Sequence, residues 1–162
     1  MTTENHESFE GGCACGEVRY RMESEPMMVH CCHCHWCQRE SGAAFAINAI
    51  IESDRVTVLA GEPEMIRIPS ESGAGQEMVR CPNCKICVWS HYRSAGRLAS
   101  MVRVGTLDNP DAIPPQVHIF IESKQPWVIV PEGLPAFEQF YRYSEFWPEE
   151  SKQRRQALIA DR

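Results

Sequence analysis

Nine cysteines in 162 residues fall into three short groups. They are Cys13-Ala14-Cys15, the run Cys31-Cys32-His33-Cys34-His35-Trp36-Cys37, and Cys81-Pro82-Asn83-Cys84 with Cys87 just after. An odd number of thiols at CxC and CxxC spacings suits metal–thiolate chemistry in a reducing compartment better than disulfide pairing. Cys81-Pro82-Asn83-Cys84 reads as a half-site, because a tight turn brings residues i and i+3 together with both sulfurs on one side. Cys13-Ala14-Cys15 supplies the other half, since residues two apart in an extended segment face the same way. Four thiolates in two close pairs are what a tetrahedral structural zinc requires. Joining the pairs closes a loop of about 65 residues at a length-dependent cost of roughly 4 kcal/mol. Structural zinc returns about 10 to 16 kcal/mol of apparent binding free energy, so the metal outweighs the loop. Buried free thiols are the alternative reading of these four residues.

With His30, the second run holds four thiols and three imidazoles in eight residues. Cys32, Cys34 and Cys37 form CxCxxC, and three protein ligands leave the fourth tetrahedral position to water or a substrate atom. An open zinc of this kind is reactive, holding a bound thiol as thiolate near neutral pH. Cys31 or a histidine can substitute for any one of the three sulfurs. If either fills the fourth position, the site is closed and structural. His33 and His35 are expected to hydrogen-bond nearby or face solvent, and His91 and His118 to be ordinary strand residues. Cys87 is expected to be a core thiol.

These groups must be carried by something rigid, and the runs between them are of strand type. Apolar and polar residues alternate in Glu17–Met22, Arg55–Leu59, Met65–Ile68, Met101–Val104, Val117–Ile121 and Trp127–Val130, which predicts an antiparallel β domain. Glycines and prolines between the runs leave little room for long helices. Two helices are expected: a short one after Cys34, through Gln38 and Arg39, and a terminal one over about Glu149 to Ala160. The latter is opened by Pro148 and two acids, carries Lys152, Arg154 and Arg155, and is polar enough to lie on the surface. The expected organisation is a disordered tail over 1–8, a zinc-binding domain over 9–145 and a helical tail over 146–162.

Sixteen basic and twenty-two acidic residues give a formal charge of −6, which repels phosphate backbones and argues against nucleic acid. The start, MTTENHESFE, has neither the basic region nor the apolar core of a secretory signal. The longest apolar stretch, near Ala43 to Ile51, is about half of what spans a bilayer. A soluble cytoplasmic protein with no membrane partner is the expectation.

Four blocks carry a resemblance: Gly12-Cys13-Ala14-Cys15-Gly16-Glu17-Val18-x-Tyr20, Cys32-His33-Cys34-x-x-Cys37, Ser41-Gly42-Ala43-Ala44-Phe45 and Cys81-x-x-Cys84. His118-Ile119-Phe120-Ile121-x-Ser123-Lys124-x-x-Trp127 and Gly133-Leu134-Pro135-x-Phe137 extend it. Over about residues 9 to 140 the chain resembles the glutathione-dependent formaldehyde-activating enzymes, also called the centromere protein V family. The resemblance implies a mainly β fold of Mss4-like type, with a structural zinc at Cys13, Cys15, Cys81 and Cys84. It implies a second, reactive zinc at Cys32, Cys34 and Cys37, hence two Zn2+ per chain. The implied activity is that of a carbon–sulfur lyase joining glutathione to formaldehyde to give S-hydroxymethylglutathione, in a monomer or homodimer. Lys85 departs from the family's glycine after the CPxC turn, Cys31 and Cys87 are additional, and the tail beyond Tyr143 has no counterpart.

On that reading Arg39 is a candidate to steer an acidic thiol, and Ser41 and Gly42 are candidate donors to substrate. The rival reading is a non-catalytic, zinc-stabilised protein-interaction module whose contact surface is Phe137, Phe140, Tyr141, Tyr143, Phe146 and Trp147. A third, thiol-based sensing, rests on Cys31 being next to Cys32.

Overall fold

The computed structural model describes residues 7–160, so most of the expected 1–8 tail lies outside the described residues. The chain builds a mostly β architecture of two sheets. The smaller is antiparallel and joins β1 (Phe9–Gly12), β2 (Arg19–Met22) and β5 (Val56–Ala60) in that order. The larger contains β3 (Met28–Cys32), β4 (Ala46–Glu52), β6 (Glu64–Ile68), β7 (Gln76–Arg80), β8 (Cys87–Tyr92), β9 (Ala99–Arg103), β10 (Val117–Ile119) and β11 (Ala136–Phe137). Its spatial order is β11-β10-β3-β4-β9-β8-β7-β6. The helices are α1 (His35–Ser41), α2 (Tyr143–Phe146) and α3 (Glu149–Ala160).

Five of the six expected strand runs contain a strand. The purely antiparallel expectation needs correction at one edge, where β10 runs parallel to both β3 and β11. Trp127–Val130 forms no strand. Its alternation is real, with Val128 buried and Trp127 and Ile129 72% and 86% exposed. However, Val128 N donates to Gln125 O at 3.0 Å in a turn, and the sheet edge is taken by β11. β10 is also shorter than its apolar run, because Phe120 has φ +57°. That left-handed conformation cannot continue a ladder.

One core lies between the sheets. Val18, just before β2, and Tyr20 and Met22 within it meet Ile51, Val88, Trp89 and Val102 of the large sheet, each fully buried large apolar side chain contributing about 1.5 to 3 kcal/mol. The Tyr20 and Trp89 rings meet edge to face at 5.6 Å. Gly11 is required where the sheets touch: a Cβ there would stand 2.5 Å from Thr106 O, and Gly11 bridges to Leu107. A second core, on Met27, Met28, Ile50, Val117 and Ile119, is closed by Tyr141 and Trp147.

Helix α3 is polar, as expected, and is docked by polar contacts. Ser151 Oγ donates to Met27 O at 2.7 Å, and Arg154 grips both Glu52 carboxylate oxygens at 2.8 and 2.6 Å. Burial alone would raise the Glu52 pKa, but Arg154 and a backbone N–H outweigh it and hold the carboxyl below its usual range. A carboxylate with a depressed folded pKa stabilises fully above its unfolded value and loses that contribution as pH falls through the lower folded value. Arg154→Met should therefore destabilise by about 2 kcal/mol at pH 7. Urea unfolding at pH 7 and at pH 3 should show that difference shrinking in acid.

Candidate metal centres and the cavity beside them

The first cysteine group is assembled across the two sheets. Cys13 and Cys15 follow β1 of the small sheet, and Cys81 and Cys84 follow β7 of the large one. Their four sulfurs all lie within 4.8 Å of one another, with Cys13 to Cys15 at 3.5 Å and Cys15 to Cys81 at 3.6 Å. Sulfurs on a tetrahedral zinc at about 2.3 Å stand about 3.8 Å apart, so the donor set fits with little adjustment. Backbone amides brace both turns: Cys13 N to Val18 O at 3.0 Å, Lys85 N to Cys81 O at 3.0 Å, and Val18 N to Cys13 Sγ at 3.3 Å. Backbone N–H bonds, that of Ile86 first, hold the Cys84 thiol down to about 6. Lys85, which stands where the family has glycine, takes the left-handed conformation itself, at φ +63°, at a cost of about 1 kcal/mol.

The second group forms where β3 ends and α1 begins. Cys32 is the last residue of β3, Cys34 caps α1, and Cys37 lies inside it. All three are buried, their sulfurs again within 4.8 Å of one another, and no other cysteine, histidine or carboxylate among the described residues joins them. Cys37 N donates to Cys34 Sγ at 3.4 Å. Hydrogen bonds from the Cys32 and Cys37 thiols, together with the N–H groups of Cys37 and Trp36, hold the Cys34 thiol down to about 3. Three soft donors at this spacing fit a metal with one coordination position left over.

Cys31 does not join this group, because alternation along β3 sends it to the other face. There it meets His33 and His118, the partner of Cys31 in β10. His33 Nε2 lies 2.8 Å from His118 Nδ1 and 3.6 Å from Cys31 Sγ. Two imidazole nitrogens on one tetrahedral zinc stand about 3.3 Å apart, so the shorter distance is that of a hydrogen bond between the rings. Burial pushes the Cys31 thiol up to about 12, which makes it a poor redox sensor.

Two groups near the sulfurs carry no signal in the sequence. Arg103, at the end of β9, is buried against the Cys87 and Cys37 thiols and Tyr92. Desolvation opposes its charge, but these neighbours more than restore it. Arg103 donates to Asn48 Oδ1, and its Nη2 has no partner among the described residues. The Tyr92 phenol is held protonated by burial first and by the Cys37 thiol second.

A cavity of about 570 Å³ opens beside Cys32 and Cys34, and Tyr92, His30 and Phe120 line it. His30 Nε2 and Tyr141 Oη are 2.5 Å apart, and Trp147 Nε1 donates to the same hydroxyl at 2.7 Å. The aromatic C-terminal segment therefore closes this side of the protein. Phe137, Tyr141 and Phe146 pack on one another at 4.7 to 5.3 Å; of the six aromatics expected to face a partner, Tyr141 and Trp147 are buried, Phe137, Tyr143 and Phe146 half-buried, and Phe140 exposed. His35 and Arg39 are exposed and away from the cavity. Ser41 Oγ donates to Cys37 O at 2.7 Å and Gly42 caps α1 at φ +66°, so both shape the turn and neither faces the cavity. Cys87 Sγ donates to Trp89 O at 3.3 Å.

Comparison with known proteins places the chain in a family. A family model described as glutathione-dependent formaldehyde-activating enzyme matches residues 8–123, a stretch that includes all seven cysteines of the two groups. A Halomonas elongata protein, named as a candidate glutathione-dependent formaldehyde-activating enzyme, is 29% identical over 125 residues, covering 74% of this chain and 79% of the relative. A Talaromyces marneffei protein named in the same way is 22% identical over 139 residues, covering 82% and 73%. The crystal structure of a Rhodobacter sphaeroides protein superposes with a TM-score of 0.46 at 22% identity, over 64% of this chain and 93% of that one. The chain belongs to the glutathione-dependent formaldehyde-activating enzyme family.

Proposed function

We propose that this chain is a zinc-dependent carbon–sulfur lyase-type enzyme acting on a thiol and a small aldehyde, with glutathione and formaldehyde giving S-hydroxymethylglutathione. The observation that carries the reading is a buried group of three sulfurs with no fourth protein donor among the described residues, beside a cavity. Two Zn2+ per chain belong to the proposal. One, held by Cys13, Cys15, Cys81 and Cys84, is structural. The other, held by Cys32, Cys34 and Cys37, supplies a cationic position that keeps a substrate thiol ionised near neutral pH. A cytoplasmic chain organised as a zinc-binding domain over 9–145 with a helical tail over 146–162 completes it.

The protein's own groups account for the remainder. The thiolate sulfur adds to the carbonyl carbon, the C–S bond forms as the C=O π bond breaks, and the alkoxide takes a proton. Tyr92 is the proton source, being a buried phenol kept protonated on the cavity wall. Arg103 offsets the excess negative charge of several thiolates in a low-dielectric setting. Because thiols add to formaldehyde unaided, positioning in the cavity supplies most of the gain.

Tyr92→Phe is expected to lower the rate of glutathione–formaldehyde adduct exchange, measured by magnetization-transfer NMR, by about 10²-fold while leaving metal content at two. An unchanged rate removes Tyr92 from the mechanism. Exchange by the wild-type protein no faster than in buffer contradicts the enzymatic reading, and the interaction-module alternative then stands.

A further inference from the structure

The cavity beside Cys32 and Cys34 is much larger than formaldehyde needs. A water occupies about 30 Å³ of liquid, and a molecule of one carbon and one oxygen would fill only about a tenth of the 570 Å³ present. Most of the wall is apolar, formed by Trp36, Ile50, Met101, Ile119, Phe120 and Phe140. Its formally charged lining groups are Glu71, in the β6–β7 connection, and Arg93, just after β8. Glutathione carries two carboxylates and an ammonium. One arginine and one glutamate cannot pair all of these inside, and an unpaired buried charge is strongly disfavoured. The charged ends of the thiol thus belong at the Arg93 and Glu71 side, leaving the apolar wall to another group.

Phe120 marks that wall as shaped. A bulky residue at positive φ is a true outlier, and backbone strain of this kind gathers at ligand-binding positions. It is fixed by Phe120 N donating to Gln139 O at 3.1 Å and Ser123 N donating to Phe120 O at 3.2 Å. On the other side Phe140 is stacked on Tyr141 at 4.9 Å and edge to face with His30 at 5.6 Å.

Building on the thiol–aldehyde reading above, we propose that the cavity takes the apolar body of an aldehyde larger than formaldehyde, with an arylalkyl or branched alkyl group against Trp36, Met101, Ile119 and Phe120. The reaction balances without an oxidant or reductant. The thiol sulfur bonds to the aldehyde carbon, the carbonyl becomes a hydroxyl with a proton from Tyr92, and the proton lost by the thiol restores the phenol through solvent. Burying one aromatic or branched alkyl group on such a wall favours the larger aldehyde by about ten- to a hundredfold.

The test has a binding arm and a rate arm, both on the zinc-loaded full chain. In the first, 2-phenylethanol, which cannot form the adduct, is titrated and followed by tryptophan fluorescence and saturation-transfer NMR. Saturable binding weakened at least tenfold by Ala74→Trp, which fills the cavity from its lining, is expected. No saturable binding, or binding that Ala74→Trp leaves unchanged, overturns the proposal. In the second arm, kcat/KM with glutathione is compared for phenylacetaldehyde and formaldehyde on the wild-type chain, and a ratio of at least ten is expected. A ratio below one overturns the larger-aldehyde assignment and leaves the formaldehyde reading intact. Saturable 2-phenylethanol binding with no acceleration for either aldehyde overturns the enzymatic reading itself, and the aldehyde assignment with it.

Discussion

Exchanging Cys81 for serine, or stripping metal with a strong chelator, is expected to unfold most of the protein. Cys81 is fully buried and belongs to the group that ties the turn after β1 to the turn after β7, so it links one sheet to the other. Beyond it, the sheets share the core around Tyr20 and Trp89, the Gly11–Leu107 bridge, and the Asp108 N to Glu10 O bond at 2.9 Å. Structural zinc contributes about 10 to 16 kcal/mol, while a domain of this size has a net stability of about 5 to 15 kcal/mol. Removing the first term leaves at most about 5 kcal/mol and over most of the range less than nothing. Near-UV circular dichroism and amide dispersion should collapse in Cys81→Ser, and readdition of zinc should restore them only in the chelated wild-type protein. A folded, dispersed Cys81→Ser protein would mean that the four cysteines are ordinary free thiols.

The second large effect is chemical. Cys34→Ser is expected to keep the fold, release one of two metals, and slow thiol–aldehyde exchange by at least about 10²-fold. The fold should survive because β3 is held between β4 and β10 by its own ladder. Serine also suits the N-cap position that Cys34 occupies on α1. Elemental analysis with circular dichroism would check the first two parts, and exchange NMR the third. Loss of the metal with full retention of exchange would place the chemistry elsewhere.

The contrast between these two substitutions reflects what the sequence could and could not reveal. Local spacing announced both cysteine groups, since CxC, CxxC and CxCxxC depend only on a turn, an extended segment or one turn of helix. Which thiols stay out was a matter of strand faces: Cys31 is one residue from Cys32 yet faces His33 and His118. Arg103 and Tyr92 were not legible because their neighbours come from separate elements: Asn48 on β4, Cys37 on α1 and Cys87 on β8. The parallel pairing of β10 is likewise a long-range choice, which alternation in one segment cannot express. Trp127–Val130 shows the opposite error, with a strand's alternation in a segment whose backbone turns on itself, Val128 N donating to Gln125 O. Lys85 and Phe120 take positive φ against residue preference. The first is imposed by the cysteine turn, and the second sits on the wall of the cavity.

Cys32, Cys34 and Cys37 are proposed to hold a metal with one position free for a thiol. Zinc-edge X-ray absorption on the zinc-loaded protein, before and after glutathione is added, measures this most directly. The average number of sulfur neighbours per zinc is expected to rise from about 3.5 to about 4 as a lighter neighbour leaves the second site. A spectrum already at four sulfurs without glutathione, or one that glutathione does not change, would contradict it.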